Sequence, residues 1–274
     1  MVAIFKTEVQ AALTENLSNI KTELWAVNLK LSDSIRNIQS DVCALKGTVG
    51  TTWMQEIVPL IMSGGDPASV ETLPNWRRVP WMEVDNTCKL NLNKDRLHVI
   101  NVMRNPKDVF TSSFHFYGMA SFLVNPGPQS EFLHKFLDGK VMFGSWFDHV
   151  KSWLNAEDKD RIMYISYEEM IMDLKDSVAR IAQFLEKPLD TEVMEKIADR
   201  CLFKNMKQNK MSNYSTIPRE FMDQTKSEFL RKGIAGDWKN QLTVAEAEYF
   251  DAVYKDKMKD VKYIALNRGV KLSH

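Results

Sequence analysis

"LHVINVMRNPKDVFTSSFHFYG", residues 97–118, carries the clearest sign of the fold class. Its opening, "LHVINV" at 97–102, is an apolar run of strand length. It leads almost directly to Asn105, a helix-capping residue type, with Pro106 at the first helical position and Asp108 three residues after the cap. A strand, a sharp turn and a capped helix follow one another. A second strand is expected at 161–167, "RIMYISY", leading into a long amphipathic helix through Phe184. Helices are also expected at 130–138, at 143–155 and at 51–63, the last kinked at Pro59 and ended by Gly64 and Gly65. Residues 66–96 read as irregular. Strands alternating with helices imply an α/β chain whose parallel sheet is covered on both faces, with ligands at the carboxyl ends of the strands.

Two strand-to-helix turns are then candidate anion sites. The first lies in "LKGTVGTTWMQEI", 45–57, where Gly50, Thr51 and Thr52 would leave free backbone N–H groups at a positive helix end. The second holds Arg104, whose guanidinium at a strand end can grip a phosphate with two parallel bonds. A third stretch, "FLRKGIAGDWKN" at 229–240, sets Arg231 and Lys232 beside Gly233, so that two cations and backbone N–H groups can converge on an anion. Each stretch also has a plain structural reading, as a capped helix, a good helix start or a solvated loop. Their joint presence in one α/β chain favours the anion site.

Composition adds boundaries. Of the 274 residues 44% are apolar and 26% charged, as in a globular protein able to bury a substantial core. Lys plus Arg and Asp plus Glu both number 36, so nothing global points to nucleic acid or to a membrane surface. Cys43, Cys88 and Cys201 lie far apart without metal-type spacing, which suits a reducing compartment, and no metal is expected. The start "MVAIFKTEVQ" lacks the pattern of a secretory leader, and no run of about 18 apolar residues occurs. A cytoplasmic location is expected. From Met1 to Lys46 there is no Gly or Pro, and Leu13, Leu17, Ile20, Leu24, Val27, Leu31, Ile35, Ile38, Val42 and Leu45 form a heptad seam with one stutter. That pattern predicts a helical coiled-coil-like segment over 1–49, ahead of a domain over 50–274; a helix packed on its own domain is the plainer alternative.

From about Gly50 to about Tyr263 the chain resembles the cytosolic sulfotransferases, which move a sulfuryl group from 3'-phosphoadenosine 5'-phosphosulfate to a hydroxyl or amine of a small molecule. "GTTWMQEIV", "RNPKDVFTSSFHFY", "YEEM" and "RKGIAGDWKN" are similar to that family's signature segments, in their usual order. The resemblance implies a P-loop-type parallel sheet flanked by helices. It implies that Arg104, Ser112, Arg231, Lys232 and Gly233 bind the 3'-phosphate and that Gly50, Thr51 and Thr52 meet the 5'-phosphosulfate. It further implies that Trp53, Tyr167, Phe203 and Phe229 belong to the nucleotide site. "KNQLTVAEAE", with Lys239, Thr243, Val244 and Glu248, is similar to the family's dimer-contact motif, so a homodimer is expected through it or through the coiled coil. Residues 1–49 resemble the coiled-coil region of the first open-reading-frame protein of LINE-type retrotransposons.

Departures from the family pattern bear on activity. Thr48 and Val49 stand where the family has lysine and serine, and Lys46 is two residues early. A neutral threonine cannot offset charge developing on the bridging oxygen as the sulfuryl group leaves. The family's Thr-His-x-Pro strand, whose histidine takes the acceptor proton, has no counterpart, since residues 54–96 contain no histidine. His98 falls in the expected strand, His115 reads as structural, His134 and His149 sit on amphipathic helices, and His274 is terminal. None makes a convincing base. One strand of the sheet is therefore expected to be missing, unless "VCAL" in "DVCALKGTVG" enters the sheet and restores a strand-loop-helix order. Phe116, Met119, Phe122, Trp146 and Phe147 are candidate acceptor-pocket walls, although core packing accounts for most such residues. Three functional readings follow: a working sulfotransferase, a nucleotide-binding pseudoenzyme, and a coiled-coil interaction protein.

Overall fold

The computed structural model describes residues 51–78, 98–142, 144–156 and 159–261. The heptad segment, Gly50, and the question of whether 42–49 enter the sheet all lie outside these residues. Among them the sheet has two parallel strands, β1 (Val99–Met103) and β2 (Ile162–Ser166). Their register sets Val99 opposite Ile162 and Met103 opposite Ser166.

Side chains on a strand point alternately to its two faces, and this sheet uses both. Ile100, Val102, Met163 and Ile165 face one core, built with α1 (Thr51–Met62), α8 (Leu174–Phe184) and α9 (Thr191–Arg200). Met103 and Tyr164 face a second, built with α4 (Pro106–Met119), α5 (Gln129–Leu137), α6 (Trp146–Leu154) and α11 (Val244–Lys257). Burying Ile100 and Ile165, 1% and 0% exposed, contributes about 1.5–3 kcal/mol each. This is the covered parallel α/β sheet expected from the sequence.

Two short helices, α2 (Ala68–Thr72) and α3 (Asn75–Arg78), replace part of the irregular stretch expected over 66–96. Both lie against α1, and α3 supplies it with a donor that it lacks. Pro59 has no N–H to give the Gln55 carbonyl four residues back, and Arg78 of α3 donates to that carbonyl from Nη1 at 2.9 Å. The helix runs through Pro59 to Met62, and Gly64 and Gly65, both at positive φ, return their N–H groups to Ile61 and Leu60. The same Arg78 pairs from Nη2 with Glu56 Oε1 at 2.5 Å, each side chain only 2% exposed.

The long helix expected through Phe184 is two helices, α7 (Tyr167–Met172) and α8. Asp173 separates them in extended conformation, and its carboxylate caps α8 by accepting from the Asp176 N–H at 2.9 Å. The amphipathic period continues across the break because both pieces pack on the same core, so hydrophobic spacing alone could not reveal it. The expected helices at 130–138 and 143–155 are α5 and α6, the latter capped by Ser145. No described helix is long and apolar enough to cross a membrane.

Candidate functional site

Because β1 and β2 run parallel, their carboxyl ends lie at the same sheet edge, and the residues that follow them become neighbours. Arg104 leaves β1 and Tyr167 leaves β2, and the guanidinium carbon of Arg104 sits 4.2 Å from the Tyr167 ring centroid. Arg104 Nη1 donates to Ser112 Oγ at 3.1 Å and Nη2 to the Ile234 carbonyl at 3.3 Å. Its Nε is buried without a hydrogen-bond partner among the described residues. Burial pushes the Tyr167 phenol up, with Arg104 opposing.

Arg231, Lys232 and Gly233 close the other side of this cleft. Both cations are held from behind by Asp237, 2% exposed, at 2.6 Å each. Burial would raise the Asp237 carboxyl, but hydrogen bonds from Lys232, Asn240 and Arg231 outweigh it and hold it well below the usual carboxylate range. The loop is fastened to α4 by Asp108. Its carboxylate, expected to serve the helix start, instead accepts from the Gly236 and Trp238 N–H groups at 2.6 and 3.0 Å. Asn105 alone supplies the side-chain cap, accepting from the Lys107 N–H at 3.0 Å. Asp108 is 1% exposed, so its two acceptor sites are worth most where they satisfy other buried donors.

The first turn of α1 adds Thr52 and Trp53 to the wall. Trp53 donates from Nε1 to the Cys201 carbonyl at 2.6 Å and packs 5.4 Å from Tyr167, centroid to centroid. Phe203, at the start of α10 (Phe203–Gln208), and Phe229 complete the aromatic lining. Phe229 lies 3.9 Å from the Tyr214 ring and 6.3 Å from the Phe116 ring. Gly233 has φ +68°, and a Cβ there would lie 2.2 Å from Phe203 Cγ. Gly233→Ala is expected to cost about 2–4 kcal/mol, from the strained backbone and the displaced ring together. Chemical denaturation measures it; a loss below about 0.5 kcal/mol would contradict so close a contact.

A family model for the sulfotransferase domain matches residues 42–262. Sulfotransferase 2B1 of Mus musculus is 38% identical over 258 residues, covering 86% of this chain and 76% of that protein. This chain belongs to the sulfotransferase family. Sulfotransferase 2B1 of Homo sapiens is 41% identical over 231 residues, 77% of this chain and 63% of that one. The crystal structure of mouse sulfotransferase SULT7A1 complexed with PAP aligns with TM-score 0.62 at 27% identity, covering 79% of this chain and 83% of that one. Retinol dehydratase, solved in complex with androsterone and inactive cofactor PAP, shares the fold at TM-score 0.69 and 21% identity, with 80% of both chains covered.

Within this sulfotransferase the cleft gathers Thr52, Trp53, Arg104, Ser112, Tyr167, Phe203, Phe229, Arg231, Lys232 and Gly233. Thr51 opens α1, and Gly50 lies outside the described residues. Lys239, in the short 3-10 turn Asp237–Asn240, and Thr243, Val244 and Glu248, at the start of α11, are not among the residues lining the cleft; Thr243 and Glu246 form a capping box and Val244 is 76% exposed. Of the candidate acceptor walls, Phe116 and Met119 line the cleft, whereas Trp146 and Phe147 are buried in the second core. Phe122 is half exposed, with its ring 6.2 Å from that of Phe116.

Three residues of the site escaped the sequence reading: Asp108, Asp237 and His115. His115, expected to be structural, lines the cleft three residues beyond Ser112 on the same helical face. The signal was that spacing, hidden because Phe114 and Phe116 on either side made the segment read as core. The carboxylates gave no signal, since their partners are backbone N–H groups and loop cations fixed only by the fold.

Proposed function

We propose that this chain is a sulfotransferase that binds 3'-phosphoadenosine 5'-phosphosulfate in the cleft at the sheet edge, with impaired transfer to a hydroxyl or amine of a small molecule. One observation carries the reading: Arg104, Ser112, Arg231, Lys232 and Gly233, from two separate stretches of sequence, line a single cleft beside Trp53, Tyr167, Phe203 and Phe229. In this reading the guanidinium of Arg104 and the two loop cations hold the terminal 3'-phosphate, while the aromatic side chains frame the adenine. Thr51 and Thr52, at the positive end of α1, receive the 5'-phosphosulfate. The solved relatives complexed with PAP support that choice of nucleotide. Phe116 and Met119 would face the acceptor, whose class is supported by the androsterone and retinol bound in dehydratase structures and by the 3-beta-hydroxysteroid sulfotransferase of Cavia porcellus, 39% identical over 230 residues.

Impairment is inferred from Thr48 in place of the family's loop lysine and from the missing histidine base. A nucleotide-binding pseudoenzyme is the second reading, favoured by those same two departures. We place the sulfotransferase domain from residue 50, with the family match from residue 42 supporting the alternative in which "VCAL" enters the sheet. The protein is read as cytoplasmic, and as able to pair through Lys239, Thr243, Val244 and Glu248 or through the N-terminal heptads.

Calorimetry with adenosine 3',5'-bisphosphate is expected to give saturable binding, while transfer of labelled sulfate to a panel of phenols proceeds far below the rate of an intact relative. Absence of binding would overturn the nucleotide reading; normal turnover would overturn the impairment. The double substitution Thr48→Lys with Val49→Ser is expected to leave transfer low, because a restored cation cannot remove the acceptor proton. Full recovery in that variant would show that the histidine is dispensable here.

A further inference from the structure

Behind His115 runs a line of side chains that the nucleotide reading does not use. Glu246, in the first turn of α11, is the acceptor of a capping box, taking the Thr243 N–H and hydroxyl at 2.9 Å each. Burial would raise its carboxyl, but hydrogen bonds from Thr243 and Gln129 outweigh it and hold it below its ordinary value. An ionised carboxylate only accepts. The Gln129 group facing it, at 3.1 Å, must therefore be the NH2, and that same NH2 donates to the Gln241 backbone carbonyl at 3.0 Å, a second partner that only accepts. The Gln129 oxygen is then turned toward the Gln241 NH2, with which it is hydrogen-bonded. That fixes the Gln241 oxygen toward His115 Nε2, 3.2 Å away.

Each orientation follows from the one before, and the last leaves a single role for the ring. Nε2 carries the hydrogen. In the neutral ring Nδ1 is then a bare acceptor, and it is the ring nitrogen left for whatever occupies the cleft. The charged groups around this ring are those of an anion site. Arg231, Lys232 and Asp237 act on it from the loop, and Arg104, Tyr167 and Glu228 share the cleft wall. The Phe114 ring packs 6.0 Å away on the same helix.

We infer that His115 is a further nucleotide-binding residue, one that gains a proton at Nδ1 when an anionic nucleotide enters the cleft and then donates that N–H to it. The relay Glu246–Gln129–Gln241 holds the ring in place by keeping Nε2–H engaged in both protonation states. Burial, with Arg231 next in effect and Lys232 adding to it, lowers the His115 pKa against the opposing pull of Gln241 and Asp237. The ring starts neutral near pH 7. A bound phosphate adds negative charge and favours the imidazolium, so the pKa in the complex lies above that of the free protein. Binding consequently takes up a proton and tightens as pH falls, until the free protein is also protonated. This inference rests on the nucleotide reading above, and it treats His115 as a ligand to the anion and not as the missing catalytic base.

The test is titration calorimetry with adenosine 3',5'-bisphosphate at pH 7.5, in buffers of differing ionisation enthalpy, on the whole chain and on His115→Asn. The natural chain is expected to take up a fraction of a proton, at most about one, and to bind several-fold more tightly at pH 6.5 than at pH 8. His115→Asn should still bind, but with that uptake and most of that pH dependence gone. Gln241→Leu, which frees the ring but keeps its charge chemistry, should retain uptake with weaker binding. Equal proton counts for the natural chain and His115→Asn would overturn this proposal alone. No binding by the natural chain would overturn the nucleotide reading and the proposal with it. Nitrogen-15 NMR of the histidine rings supplies a check that needs no nucleotide: His115 is expected as the Nε2–H tautomer, and the Nδ1–H tautomer would refute the relay.

Discussion

Glu56→Ala is expected to destabilise the protein by about 3–5 kcal/mol, the cost of removing one partner from a buried ion pair. Its carboxylate is the only charge partner of Arg78 among the described residues, and both side chains are 2% exposed. It also accepts from Ser212 Oγ at 2.5 Å, which ties α1 to the segment after α10. Deletion leaves a guanidinium uncompensated in the interior and a hydroxyl unpaired. The Arg78 bonds to the carbonyls of Leu73, Gln55 and Met211 remain, but they carry no full charge. Replacing both members, as Glu56→Met with Arg78→Met, should cost less than Glu56→Ala alone, because neither charge then stays buried. It should not recover fully, since the Gln55 carbonyl exposed by Pro59 loses its donor. Urea unfolding of the three proteins measures both differences, and a single-variant loss under about 1 kcal/mol would mean that water reaches the pair.

Arg104→Ala is expected to weaken adenosine 3',5'-bisphosphate binding by roughly a hundredfold, as befits a charge-assisted contact worth about 2–5 kcal/mol. Stability should change little by comparison. The side chain's hydrogen bonds go to Ser112 Oγ at 3.1 Å and the Ile234 carbonyl at 3.3 Å, and its buried Nε has no partner among the described residues to lose. Arg104→Lys should recover only part of the affinity, because an ammonium lacks the planar fork that can hold a phosphate by two bonds and cannot lie as flat over Tyr167. Calorimetry on the variants decides the matter. Binding unchanged in Arg104→Ala would remove the residue from the anion site, whatever the loop cations do.

The local pieces were legible along the chain, because their causes are local. The apolar run of β1, the Asn105-Pro106 helix start, the Gly64-Gly65 stop and the triad of cationic positions Arg104, Arg231 and Lys232 all follow from residue type and spacing. Which polar groups meet was left to the packing of distant segments. Parallel pairing put Arg104 and Tyr167, 63 positions apart in the chain, at one edge; the register of β1 on β2 makes that contact, and no local pattern contains it. Asp108 left its own helix end for the N–H groups of Gly236 and Trp238, and Asp173 interrupted the helix, though not its amphipathic period, to cap α8. A carboxylate's choice of partner depends on which buried donors the fold leaves unsatisfied, and no spacing rule along the chain contains that information. His115 illustrates the same limit, its tautomer set by an acceptor 131 residues away through two amides whose orientations the fold alone fixes.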